Sequence, residues 1–287
     1  MKKLFYGSLV GTLFICSCGN DTKKEESAGT TSADTTVSKI DSTKTAVNGL
    51  VDFKFYIAID NIPSPFGTIS KLSEAEIPFK KDLLNLPENE SKYLTSTKKA
   101  LNYGIYGVDL MYLATNKEFT HIAKYFATTR NLAVSLDAAE SFDKITKSRM
   151  EGSNLENKDT ITRIIDEAYA ASDKYLKTSE RQQAATQILI GSWIESVYIT
   201  LHTIKGQKRN EKNNFLFVNV YEQKLNLFHL LSLLKEYEKI ADFNPLIKKI
   251  NALNEDFKKI NTAQDVTEEK VNELTAKLDA IREMVIK

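Results

Sequence analysis

The chain has 287 residues, 39 Lys+Arg against 38 Asp+Glu, and a formal net charge of +1. With no basic tail or patch-forming run it lacks the electrostatic footprint of a nucleic-acid binder, so no nucleic-acid partner is expected. Beyond Cys16 and Cys18 the chain has no other cysteine and only three scattered histidines without ligand-type spacing, so it does not read as a zinc site of about four ligands.

The first element is a leader. Lys2 and Lys3 precede an apolar run from Leu4 to Ile15, the charged and apolar regions of a secretory signal. The run falls short of the roughly 20 apolar residues that span a bilayer. It ends in Ile15-Cys16-Ser17-Cys18, which resembles the lipobox of bacterial lipoproteins, with Ile15, Ser17 and Cys18 at the matching positions. The resemblance implies cleavage after Ser17, acylation of Cys18 and a membrane partner reached through that lipid. A disulfide between cysteines two residues apart would be strained. Loss of Lys2 and Lys3 with the leader leaves 37 basic against 38 acidic residues in the mature chain.

Residues 18–50 follow, rich in Ser and Thr and without an aromatic side chain. They cannot bury enough apolar area to offset their ordering entropy and read as a lipidated tether with a reach of roughly 30 Å. Lys24-Glu25-Glu26 resembles the export signal of surface lipoproteins in the Bacteroidota; an ordinary solvated charge cluster is the competing reading. Asp34-Thr35-Thr36 and Asp41-Ser42-Thr43 resemble that phylum's O-glycosylation acceptor, with Thr35 and Ser42 as the acceptors. Asp159-Thr160-Ile161 matches too, although a helix-capping role explains it equally.

Residues 51–287 are long enough for one sizeable core and show no internal break. Val51, Phe53, Phe55, Ile57 and Ile59 alternate with mostly polar residues, a period of two that predicts an extended arm along the helices. Four of the five prolines lie between Pro63 and Pro87, and beyond that helical spacing dominates. Helices are predicted near 65–73, 78–85, 91–115, 117–134, 138–151, 158–177, 180–204, 213–241, 245–260 and 266–286. Expected caps are Ser64 before Pro65, Asn244 before Pro245, and the pairs Asp137/Glu140, Ser179/Gln182 and Asp265/Glu268. The fold class is therefore all-α, a multi-helix antiparallel bundle of about eight to ten helices with an N-terminal extended arm.

Two predicted helices are apolar almost all round and should be central: residues 100–115 and 188–202. Each holds one carboxylate, Asp109 and Glu195, which is costly to bury unless paired or protonated. Gly104, Gly107 and Gly191 weaken these helices and point to close approach by neighbours. Tyr106, Asp109, Glu195, Tyr198 and His202 form the candidate pocket. One reading is a hydrolase using the two carboxylates in a cleft; the other is a structural hydrogen-bond network. No nucleophile elbow, zinc-protease helix, phosphate loop or dinucleotide fingerprint is present, and no cofactor is expected.

The segments 62–65, 82–85, 92–114, 157–161, 167–177 and 191–199 together resemble a group of uncharacterised all-helical outer-membrane lipoproteins of the Bacteroidota. The resemblance implies a helical fold and an envelope location, on the cell surface or facing the periplasm, and implies no activity or catalytic residue.

Overall fold

A helix that is apolar on every side has no face to offer water and must be surrounded by other elements. The computed structural model, which describes residues 61–150, 157–178 and 181–287, places two such helices at the centre. In α2 (Ser96–Thr115), every residue from Ala100 to Thr115 is buried. In α6 (Gln182–Ile204), only Leu189, Tyr198 and His202 escape full burial between Ala185 and Ile204.

The glycines explain how closely the two helices cross. A Cβ on Gly191 would stand 1.9 Å from the Leu101 carbonyl oxygen, and one on Gly104 would stand 2.1 Å from that of Ile188. The Ser192 hydroxyl donates to the Gly104 carbonyl at 3.2 Å across the same crossing. A Cβ on Gly107 would meet the Tyr169 ring at 2.4 Å. Each glycine thus removes the one atom that would hold two elements apart.

The remaining helices surround this pair. They are α1 (Pro65–Ile69), α3 (Phe119–Ser135), α4 (Ala139–Met150), α5 (Lys158–Thr178), α7 (Asn214–Leu234), α8 (Asn244–Phe257) and α9 (Glu268–Ile286). Helix α1 lies on α2 and α6, α3 and α5 pack on α2, and α4 bridges α3 and α5. On the other side α7 packs on α6 and α8, while α9 is wedged against α6, α8 and α2. The fold is an all-α multi-helix bundle, with no strand among the described residues. The arm expected at 51–60 lies outside them.

Local chemistry sets the helix ends. The Ser64 hydroxyl accepts from the Phe66 N–H at 3.3 Å with Pro65 opening α1, as expected. Thr95 caps α2 by accepting from Lys98 N at 3.1 Å. At α5 the cap is Asn157, whose side chain accepts from Thr160 N at 3.0 Å, rather than Asp159. Asp137 does not cap α4; it adopts φ 53° and its carboxylate pairs with Arg181. Asp265 closes a reciprocal box with Thr262, and Thr267 caps α9 in its place. Asn244 is the first residue of α8 rather than its cap, and its amide donates to the Glu238 carbonyl. Ser179 lies outside the described residues.

Four predicted helices change length. The one expected over 65–73 ends at Ile69 and is followed by a 3-10 segment at Leu72–Ala75. The one expected over 213–241 ends as α-helix at Leu234 and continues as a 3-10 turn, Lys235–Tyr237. The one expected from 91 starts at Ser96, after a 3-10 segment at Pro87–Lys92. The helix expected over 78–85 shrinks to a 3-10 turn at Lys81–Leu83, and Leu84 is extended at φ −70°, ψ 144°. The backbone there has other partners: the Leu83 carbonyl accepts from Arg282, and the Asn85 N–H donates to Asp109. Those bonds replace the helical ones.

Candidate functional site

The two carboxylates of the candidate pocket do meet. Asp109 near the end of α2 and Glu195 midway along α6 are both 0 % exposed. Their closeness follows from the crossing, since Gly104 and Gly191 lie roughly one turn before them on the apposed helices. Between them and solvent stands Arg282 of α9, itself 6 % exposed. Its Nε and Nη2 donate to the two Glu195 oxygens at 2.6 and 2.7 Å, a bidentate pairing, and Nη2 also donates to the Leu83 carbonyl at 2.8 Å. The guanidinium stacks over the Tyr198 ring at 4.1 Å. Burial alone would lower the Arg282 pKa, but the charge and hydrogen bonds of Glu195 outweigh it and raise the value above that of an ordinary arginine.

Asp109 has no cation of its own. One oxygen, Oδ2, accepts from the Asn85 N–H at 3.1 Å; the other, Oδ1, is buried with no donor. Burial first, then the adjacent Glu195 carboxylate by charge and hydrogen bonding, raises the Asp109 pKa well above the usual aspartate range, against the pull of Arg282. An oxygen that receives no hydrogen bond and lies beside an anion is where a proton belongs. Burial and the neighbouring carboxylate thus both favour the protonated form of Asp109.

This assignment fixes a pH dependence. A carboxyl whose pKa rises on folding takes up a proton as the chain folds. Its contribution to stability is full below the unfolded value of about 3.9, and is lost as pH climbs toward the folded value, at up to about 1.4 kcal/mol per pH unit. Asp109→Asn keeps an acceptor for Asn85 and a donor for Glu195 without needing the proton. The variant is expected to gain on the wild type as pH rises above about 4, in urea melts at pH 4.5 and 7. A difference that does not change with pH would refute the neutral acid.

A polar web surrounds the cluster. Asn85 Nδ2 donates to Tyr93 at 2.8 Å and to Asn102 at 3.2 Å, and Asn102 Nδ2 donates to the Val285 carbonyl at 3.0 Å. Lys98 Nζ donates to the Met284 and Val285 carbonyls. The first turns of α2 thus cap the C-terminal end of α9, where a cation and donors suit the helix dipole. The Tyr106 hydroxyl donates to the Leu86 carbonyl at 2.8 Å, and burial raises its pKa.

Of the five candidate pocket residues, Asp109, Glu195 and Tyr198 share the cluster, and Tyr106 belongs to the web. His202 sits outside, half-buried, bonded through Nε2 to Asp279 at 2.7 Å. It lines a shallow surface depression of about 320 Å³ together with Tyr198 and Arg282. Arg282, Asn85 and the Leu83 carbonyl are the participants that sequence reasoning missed. Cys18, Lys24, Glu25, Glu26, Thr35 and Ser42 lie outside the described residues.

Chemically, the cluster is closed. Glycoside hydrolysis by paired carboxyl groups needs the substrate bond between them, but here both are sealed and Glu195 is locked on a guanidinium. Among the described residues no group of three or more His, Cys, Asp or Glu side chains could hold a metal ion, and no helix is long and apolar enough to cross a membrane.

The geometry defines a helical bundle pinned by a buried ionic cluster. No protein-family model matches the chain, and neither the curated proteins nor the solved structures contain a significant match.

Proposed function

We propose that this chain is a lipid-anchored envelope lipoprotein of the outer membrane, whose helical part acts as a binding or structural module. The observation that carries the reading is Ile15-Cys16-Ser17-Cys18 at the end of a charged-then-apolar leader. The resemblance to helical lipoproteins of the Bacteroidota supports the same compartment, and the Lys24-Glu25-Glu26 cluster favours the outer face. More than one acyl chain on Cys18 would hold the protein stably, since a single chain gives only marginal membrane binding. The sealing of Asp109 and Glu195 argues for a module without a reaction centre and against the hydrolase reading.

Metabolic labelling with a clickable fatty acid tests the anchor. Label is expected on the wild type and is expected to vanish in Cys18→Ala while persisting in Cys16→Ala; label that survives loss of Cys18 would overturn the reading. Protease treatment of intact cells then distinguishes surface display from a periplasm-facing domain.

A further inference from the structure

Away from the ionic cluster, a groove of about 630 Å³ runs between α7 and α8. One wall is apolar and open to solvent: Leu225 and Phe228, neighbours on one face of α7, are 61 % and 67 % exposed. Contiguous exposed apolar side chains, unlike single ones, mark contact surfaces.

Two amides line the same groove with bonding capacity to spare. Their neighbours fix the orientation of one of them, Asn226. The Trp193 indole can only donate, and it donates to Gln223 Oε1 at 2.8 Å, while Gln223 Nε2 donates to Asn219. Asn226 therefore turns Nδ2 to Gln223 Oε1, at 3.0 Å, and its Oδ1 accepts nothing among the described residues. The other, Asn254 of α8, is 9 % exposed and its side chain makes no hydrogen bond among the described residues. None of these spare atoms is sealed from solvent, so each is open to a ligand in the groove. Buried amides ordinarily have partners.

The cations of the lining are already committed. Lys258 pairs with Glu255, and Lys224 donates to the Lys258 and Ile260 carbonyls. Glu222 is exposed and has no partner among the described residues. An acidic ligand thus finds no free cation here, whereas a cationic one finds a free carboxylate.

We propose that this groove binds a short, extended, apolar peptide segment of a partner protein, one without acidic side chains. Its apolar side chains cover Leu225 and Phe228, a backbone N–H donates to Asn226 Oδ1, and a backbone carbonyl accepts from Asn254 Nδ2. A hydrocarbon chain would cover the same wall but leave both amides unpaired, and a peptide is the apolar partner that carries a donor and an acceptor at every residue. Between Tyr221 and Phe228, α7 runs for about 10 Å, the length of about three extended residues. The inference rests on the binding-module reading and is independent of the lipid on Cys18, whose labelling test can fail or succeed alone.

Titration calorimetry of the full chain with the peptide acetyl-Leu-Phe-Leu-Lys-amide tests this, the lysine being placed to meet Glu222. Saturable binding is expected. Phe228→Ser and, as a second variant, Leu225→Ser should each weaken it at least tenfold, with the emission of buried Trp193 unchanged as the sign of an intact bundle. Methylating the peptide's Phe and second Leu nitrogens, which removes two N–H donors and keeps the apolar side chains, should weaken it by a similar factor. Absence of saturable binding would overturn the proposal. So would equal affinity for the methylated peptide, which would reveal an apolar surface without amide recognition, or binding that neither α7 variant alters, which would put the peptide elsewhere.

Discussion

Arg282→Met is expected to lower the unfolding free energy by about 3–5 kcal/mol at pH 7, measured by urea denaturation. The substitution keeps most of the side-chain volume and removes the charge, so Glu195 is left fully buried with no cation and the Leu83 carbonyl with no donor. An uncompensated buried carboxylate is among the costliest single defects a core can carry. Glu195→Leu combined with Arg282→Met is expected to recover a large part of the loss, because a desolvated ion pair and a well-packed apolar pair are often close in energy. Recovery stays incomplete, since the Leu83 carbonyl and the acid of Asp109 still lose their partners. A double variant no more stable than Arg282→Met would show that the charge balance is not what the cluster supplies.

Gly191→Ala is expected to cost about 3 kcal/mol or more, at the upper end of overpacking effects. The added carbon would lie 1.9 Å from the Leu101 carbonyl oxygen, and the atom in its way is backbone. No rotamer change can relieve that, so α2 and α6 would have to separate along their whole crossing. This cost outweighs the roughly 1 kcal/mol of helix propensity that alanine brings. Gly67→Ala provides the contrast. A Cβ there meets nothing within 4 Å, so the same substitution should stabilise by about 0.4–1 kcal/mol through the unfolded chain. Thermal melts of the two variants read the difference directly; similar shifts would mean that the helix crossing is not held by its glycines.

The two predicted effects arise from features of unequal visibility in the sequence. The central helices were legible because residues 100–115 and 188–202 leave no polar face, and their glycines were legible because glycine in such a helix needs a reason. Asp109 and Glu195 stood out as charges among apolar neighbours. Arg282 did not. It sits in a helix rich in Lys and Glu, four residues after Leu278 and three before Val285, so it reads as one more surface charge until α9 is seen wedged against α6. The signal that could have found it is its place beside that inward stripe, together with arginine's suitability for bidentate pairing in a dry site. Residues 78–85 read as helix in the sequence for a related reason. Their local pattern permits a helix, but Leu83 and Asn85 supply backbone groups to partners 199 and 24 residues away. No local rule contains those partners. Asp256 is equally hidden: it is 2 % exposed and held by its neighbour Lys259 and by Lys277, the latter tying α8 to α9. Burial works to raise its pKa, but those two cations prevail and lower it, so its pH dependence has the opposite sign to that of Asp109.

The charge states matter because they separate two accounts of the same residues. Two carboxyl groups side by side suggest chemistry when one must be acid and the other base over an accessible substrate. In this protein both carboxyl groups are buried, and Glu195 is held on Arg282. The arrangement joins α2, α6 and α9 through one buried cluster at the centre of the bundle.

The most direct test of that account is carbon-13 NMR of the Asp109 side-chain carboxyl in the folded protein, followed from pH 4 to pH 8 and assigned with Asp109→Asn. The account predicts a carboxyl that keeps the shift of a neutral acid above the ordinary aspartate pKa of about 3.9. A resonance that titrates near pH 4 would contradict it, and would mean that Arg282 and the Asn85 N–H offset the burial of Asp109.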